Sequence, residues 1–466
     1  MSHKNNKEYL TASIYYLIGN IAGQGVVLLS SGIFTRMMSR NDYGLVNTYS
    51  AWVLVLNTFI GLNLFITLRN AYIDYREQYE EYKSSILLLS FIAFLVFTGV
   101  IMGAVFLLGI QTDAFAVGLA ALQAISLHTI NYQMAAFSME NRYKLRTLLL
   151  ILPNLVHTLL SIVFIAVCSH HPFYAKISGN ALGLLIFALF IMAALFKNRR
   201  PQYIAEFWKY ALWISVPAVF HTLSDLILIQ SDRIMLTELS GADETAVYSL
   251  VYNIGYIIVA LYTAINGAWT PWFYKNAALD NKDEIKKIQR IYLAGFTLLT
   301  NGLLTVSPEI IKILSPETYW NGIDYVSLIV IASFLIFVYS FFTTYLMYLK
   351  KTGIIARNTI IAAVLNIALN YTLIPQYHAV GAAMATILSY TVLFFLYWMS
   401  VRKQGNGFFC KREMCACIGI TVLYGAEFYF IRDNWLVRYA LVLAVLLITG
   451  GILYKYYLKK DQGGKH

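Results

Sequence analysis

The chain has 466 residues, of which 59% are hydrophobic and only 13% charged. Water-soluble chains carry roughly 25% charged and 45–50% apolar residues, so a soluble fold is excluded and a bilayer has to act as solvent. The net charge of +11 does not mark a nucleic-acid binder, because the basic residues are sorted by membrane side.

A membrane-crossing helix needs about 20 mostly apolar residues. Fourteen such runs follow one another along the chain, at about 10–35, 45–68, 86–110, 114–138, 147–168, 173–196, 210–231, 245–270, 291–314, 323–348, 354–374, 379–400, 414–431 and 437–454. The first is preceded by MSHKNNKEY and has no small-residue cleavage site, so it reads as a retained helix. Of the 35 Lys and Arg, 28 fall in the two tails and the even-numbered connections and 7 in the odd-numbered ones. By the positive-inside rule both termini are expected in the cytoplasm. The four cysteines, Cys168, Cys410, Cys415 and Cys417, give no disulfide framework, and Cys415-Ala-Cys417 lacks zinc spacing.

Two pairs of segments share one offset. DYGLVNTYS (42–50) matches ETAVYSLVY (244–252), aligning Gly44 with Ala246; ISGNALGLL (177–185) matches AVGAAMATI (379–387), aligning Gly179 with Gly381. An offset of 202 residues in both suggests a duplication of six spans. Six is even, so the copies would run parallel and leave a cleft between them, as in transporters that alternate access. The expected fold is therefore an all-α polytopic membrane protein with about fourteen transmembrane helices. Its parts would be a six-helix lobe at 1–205, a second at 206–405, and two appended helices with a cytoplasmic tail at 406–466.

Catalytic signatures are missing: no G-x-x-x-x-G-K-[ST], H-E-x-x-H or G-x-S-x-G occurs. An enzyme is not expected. Polar groups inside spans are costly and so mark candidate sites. In the first span Asn20 and Gln24 lie one turn apart beside Gly19 and Gly23, a G-x-x-x-G that serves helix packing as readily as cavity lining. His128 with Asn131, and Asn154 with His157, read as interhelical hydrogen bonds. Arg36 and Arg233 close spans at the outer side, while Arg69 and Arg142 sit at inner ends; a guanidinium fork suits a phosphate, or a lipid head group.

In the seventh span His221, Asp225 and Asp232 follow i, i+4, i+11 spacing on one helix face, with Pro217 one turn ahead. They form either a proton or cation relay or a structural polar clamp. Glu427 reads as a snorkelling or paired residue near the outer interface. In LNIALNYTLIPQYHAVGAAMAT (365–386), Asn366 and Asn370 read as interhelical hydrogen-bonding groups. Pro375 is expected to end that helix, and Gly381 to let the next one pack closely. The 35 tyrosines and 8 tryptophans mainly serve as interfacial belts.

SGIFTRMMSRNDYGLVNTYSAW (31–52), SDRIMLTELSGADETAVYSL (231–250) and LNIALNYTLIPQYHAVGAAMATILSY (365–390) together resemble a known family. It is that of the bacterial Wzx-type polysaccharide (O-antigen and capsule) flippases, in the multidrug/oligosaccharidyl-lipid/polysaccharide exporter superfamily. The resemblance covers about 10–400. It implies two six-helix lobes and alternating access, without a cofactor but with H+ or Na+ coupling. The implied cargo is an undecaprenyl-pyrophosphate-linked oligosaccharide repeat unit, moved from the cytoplasmic to the outer leaflet of a bacterial inner membrane. Membrane lipids, a polysaccharide polymerase and a chain-length regulator are the implied partners. Arg36, Asp232 and Arg233 sit at matching motif positions. Substrate binding is thus expected from Arg36, Arg69, Arg233, Asn20 and Gln24, and ion coupling from His221, Asp225 and Asp232. Ala246 departs from a common glycine, and fourteen spans exceed the usual twelve. A lipid II flippase and a MATE-like cation-coupled exporter of small molecules remain open.

Overall fold

A computed structural model gives the fold; it describes residues 3–107, 113–405 and 407–444, apart from the side chains of 3–14 and 16. Every regular element among them is helical. Among the described residues eleven helices are long and apolar enough to cross a membrane, twelve with one bent pair counted as a span. The chain divides into two compact units, Met1–Ala246 and Val247–His466.

The first unit holds α1 (His3–Met37), α2 (Arg40–Gly61), α3 (Thr67–Asp74), α4 (Tyr79–Leu107), α5 (Ala114–Met139), α6 (Tyr143–Val167), α7 (Pro172–Asn198), α8 (Ala205–Ser240) and the first turn of α9 (Ala242–Ala278). Local chemistry sets these boundaries. Ser39 caps α2 by accepting from the Asp42 amide at 3.1 Å, and Asp113 caps α5 through the Phe115 amide at 2.9 Å; both satisfy donors that a helix start leaves orphaned. Pro172 opens α7, where its missing N–H costs nothing. Helix α5 is central, packing on α2, α4, α6 and α7. Helices α6 and α7 approach so closely that a Cβ on Gly179 would lie 2.5 Å from the Ser161 Cα. That contact brings polar groups together: Ser161 Oγ donates to Asn180 Oδ1 at 2.9 Å, and His157 bonds both Asn180 and Asn154 at 3.1 and 3.2 Å. A polar ladder inside a bilayer is stable only when satisfied in this way.

The expected second span is broken. Leu62 and Asn63 both adopt left-handed backbone, φ 46° and 51°, and the chain turns 60° between α2 and the Leu64–Asp74 segment. Gly61, just before the turn, abuts the His128 ring: a Cβ there would fall 2.1 Å from Nδ1. His128 is buried and its Nε2 pairs with Ser90 Oγ at 2.9 Å. This is an interhelical bond, from α5 to α4, as expected for His128.

The second unit holds the rest of α9, α10 (Lys282–Leu314), α11 (Val326–Tyr348), α12 (Thr352–Arg402), α13 (Lys411–Ile431) and the short α14 (Trp435–Ala444). Helix α11 is its core: Phe337 stacks on Phe296 of α10 at 4.0 Å, and α12 and α13 pack around it. As a straight rod, the 51 residues of α12 would reach about 75 Å, more than twice the hydrocarbon thickness. Instead α12 folds back on itself. His378 has φ 50° and ψ −129°; Asn358 donates to Ser400 at 3.0 Å and Thr359 pairs with Tyr397 at 3.1 Å. Its two arms are the expected spans 354–374 and 379–400. The turn falls at His378, so Pro375 does not end the helix. A proline costs one backbone bond, and this close to a helix end little else is lost. Gly381 does allow the close approach, with a Cβ position 2.3 Å from the Leu373 carbonyl oxygen. Asn370 donates to Asn366 Oδ1 at 3.1 Å within the same arm.

Helices α13 and α14 are fastened to this unit by charge. Arg290 meets Glu413 at 2.8 Å, Arg432 meets Asp324 at 2.5 Å, and Arg438 forks onto Glu309 with contacts of 3.0 and 2.5 Å. Glu427 is exposed on α13. The expected fourteenth span, 437–454, continues past Ala444 outside the described residues.

Candidate functional site

All eight residues expected to bind substrate or couple an ion lie in the first unit, on α1, α3 and α8. Helix α8 runs unbroken for 36 residues through Pro217. The proline has no N–H to offer the Trp213 carbonyl, so an acceptor is released about two turns before His221. His221 and Asp225 do come together: Nε2 and Oδ2 are 3.9 Å apart, with the side chains 40% and 48% exposed. His221 Nδ1 has no hydrogen-bond partner. The pair is half-exposed and, at this distance, loosely held.

The broken second span braces this part of α8. Asn63, at the bend, donates to the Thr222 hydroxyl at 2.8 Å and to the Ala218 carbonyl at 3.3 Å. These two residues flank His221. Nothing in the apolar run FIGLNLF marked Asn63 as a site residue; the one available signal is that asparagine tolerates left-handed backbone better than most residues.

Asp232 is two turns farther along α8 and fully buried, so it does not share the open environment of His221 and Asp225. Its neighbour Arg233 is half-buried and donates to Gln230 Oε1 at 2.6 Å. One turn on, three threonine hydroxyls tie three helices: Thr48 of α2 to Thr237 of α8 at 2.5 Å, and Thr237 to Thr245 of α9 at 2.7 Å. This end of α8 is built as a polar clamp.

Arg36 is exposed and donates to the Gly32 carbonyl of its own helix at 2.9 Å. Asn20 and Gln24 are half-buried on α1. Gly19 beside them packs on α6, with a Cβ position 3.0 Å from Leu150 and 3.2 Å from Thr147. Asn20 itself has no hydrogen-bond partner among the described residues.

Arg69 stands apart from these on α3, just past the bend. It lines a cavity of about 570 Å³ together with Asn70, Asn131, Ser138 and Arg146, a size typical of small-molecule sites. Two guanidinium groups and three neutral polar side chains face this space, and its lining contains no carboxylate. Arg69 has no hydrogen-bond or ion-pair partner among the described residues. Such a cavity favours a compact, doubly charged anion, since guanidinium groups bind phosphate oxygens in pairs. Of these, Arg69 stands out in the sequence as an arginine at a span end, Asn131 reads there as a structural hydrogen-bonding group, and Arg146 carries no distinguishing signal.

The sequence and the fold both have known relatives. A family model described as "Polysaccharide biosynthesis protein" matches residues 10–277. The probable low-salt glycan biosynthesis flippase Agl15 of Haloferax volcanii is 26% identical over 403 residues, covering 82% of this chain and 81% of that protein. The probable flippase AglR of the same organism is 24% identical over 267 residues, 54% of each chain. Among solved structures, lipid II flippase MurJ in an inward closed conformation superposes with a TM-score of 0.67 at 12% identity, covering 98% of this chain and 100% of that one. An inward-facing MATE-family multidrug transporter gives 0.58 at 14% identity, covering 85% and 98%. These structures establish a shared all-α polytopic fold, and the chain belongs to the polysaccharide biosynthesis protein family.

Proposed function

We propose that this membrane protein is a flippase for lipid-linked glycans. The finer reading is that it moves an undecaprenyl-pyrophosphate-linked oligosaccharide repeat unit from the cytoplasmic to the outer leaflet of a bacterial inner membrane. The glycan would feed O-antigen, capsule or related surface polysaccharide, with polymerase and chain-length regulator downstream. Family membership and two flippase relatives support the class. The observation that carries the cargo's chemistry is the carboxylate-free cavity holding Arg69 and Arg146, at the end of the unit that the Lys/Arg asymmetry assigns to the cytoplasm. A pyrophosphate leaving the inner head-group layer would meet these arginines first, while its polyprenyl tail stays in hydrocarbon.

Ion coupling is proposed for His221 and Asp225, whose open pairing suits a group that must load and unload a proton or Na+. Asp232 is the weaker candidate because it is buried away from that pair. The same pair supports a second reading, a MATE-like exporter of small cations. Inside-out vesicles separate the two. Labelled lipid-linked oligosaccharide should become protected in the lumen, and Arg69→Gln should slow this roughly tenfold or more, as expected for losing a charge-assisted contact. Uptake of cationic dyes with no movement of the lipid would overturn the flippase reading in favour of the exporter.

A further inference from the structure

The first unit contains a second cavity, of about 390 Å³, between α4, α5, α6 and α7. One end is charged. Lys83, almost fully buried, bridges Glu80 at 2.6 Å and Glu140 at 2.5 Å, and Arg142 joins Glu140 at 3.4 Å. The other end is apolar: Leu145, Leu148, Leu152 and Phe190 line it and are exposed on the protein surface at 43%, 48%, 41% and 73%. Both α6 and α7 are long and apolar enough to cross a bilayer, which would set these side chains against hydrocarbon. A charged floor opening sideways into lipid is the outline of a site for one whole lipid molecule.

Its chemistry narrows the choice. The lining carries two carboxylates and two cations, so the cavity is neutral overall and does not favour a dianionic pyrophosphate. Arg142 is 60% exposed, and its two terminal amino groups have no partner among the described residues, leaving a fork for one phosphate. Gln133 is 92% buried, lines the same cavity, and its Oε1 accepts from nothing. A buried unmatched acceptor is costly, so the occupant has to bring an N–H or O–H. Glu80, half-exposed, offers further acceptor capacity beside it. We propose that this cavity holds a zwitterionic glycerophospholipid with a primary ammonium head group. Arg142 takes the phosphate, Gln133 and Glu80 accept from the ammonium, and the acyl chains lie along Leu148, Leu152 and Phe190. A choline head group has the same charge but no N–H to give, and a glycerol head group leaves the site with net negative charge.

The test is native mass spectrometry of the full chain from nanodiscs with equal amounts of phosphatidylethanolamine, phosphatidylcholine and phosphatidylglycerol. One phosphatidylethanolamine should be retained, preferred over phosphatidylcholine roughly tenfold, as sites built around a polar donor discriminate. Arg142→Gln, an exposed substitution, should lower retention of every phospholipid. Gln133→Leu should keep binding but bring the ethanolamine-to-choline ratio close to one. Equal retention of ethanolamine and choline lipids by the native protein would overturn the proposal, as would preferential retention of phosphatidylglycerol. So would variants that bind like the native chain. The native preference decides alone if a variant does not purify.

Discussion

The fork between Arg438 and Glu309 gives the sharpest stability prediction. Arg438 is only 3% exposed, while Glu309 is 38% exposed, and Arg438 also donates to the Thr305 carbonyl. Removing the carboxylate leaves a buried guanidinium without its counter-charge. Breaking a buried pair from one side costs about 3–5 kcal/mol, and the partial exposure of Glu309 points to about 3. In a unit of this size each kcal/mol lowers Tm by about 2–4 °C, so Glu309→Ala should cost about 6–12 °C. Arg438→Leu should cost much less, because the carboxylate left behind can reach water; about 1 kcal/mol is expected. The double variant Glu309→Ala/Arg438→Leu should recover most of the Glu309→Ala loss, ending about 1 kcal/mol below the native chain, which is a coupling of about 3 kcal/mol. Thermal unfolding of detergent-purified protein followed by intrinsic fluorescence measures all three. Equal losses for the two single variants, adding up in the double, would show that the pair is an ordinary surface contact and that the reasoning fails.

Three further outcomes follow from the same structure. Gly61→Ala drives a methyl into the His128 ring and should break its 2.9 Å bond to Ser90, costing about 1–3 kcal/mol by the same unfolding assay. Burial pushes the Cys410 thiol up to about 12, whereas Cys168 and Cys415 are exposed. Between pH 7 and 9 Cys410 should therefore resist maleimide while those two react, and an impermeant maleimide on intact cells should reach Cys168 but not Cys415 if the termini are cytoplasmic. Asp225→Asn should abolish the pH or Na+ dependence of transport while leaving Tm within a degree or two, since the side chain is half-exposed; an unchanged ion dependence would remove this pair from the coupling mechanism.

Much of the fold was legible because apolar runs of membrane length can only be helices. Six-span periodicity also put Gly179 and Gly381 at equivalent places, and both proved to be points of close backbone approach. What the sequence hid was bending. The break at Leu62–Asn63 sits inside an apolar run with no proline, because its cause is tertiary: Gly61 yields to His128, and Asn63 finds partners on α8. Pro375 drew the expected turn three residues too early, since a proline near a helix end is tolerated. At the site, spacing foresaw the contact between His221 and Asp225, which are local neighbours. It could not foresee that Asp232 is buried while they are open, or that Arg146 shares a cavity with Arg69, because burial and long-range assembly leave no periodic trace.

Glycan translocation is best tested with purified protein in proteoliposomes holding a labelled undecaprenyl-pyrophosphate oligosaccharide. Glycan protection from an external glycosidase reports its leaflet. The native chain should make the inner pool accessible, and Arg69→Gln should slow this roughly tenfold or more. An inner glycan pool that stays protected in the presence of well-folded native protein would contradict the flippase reading.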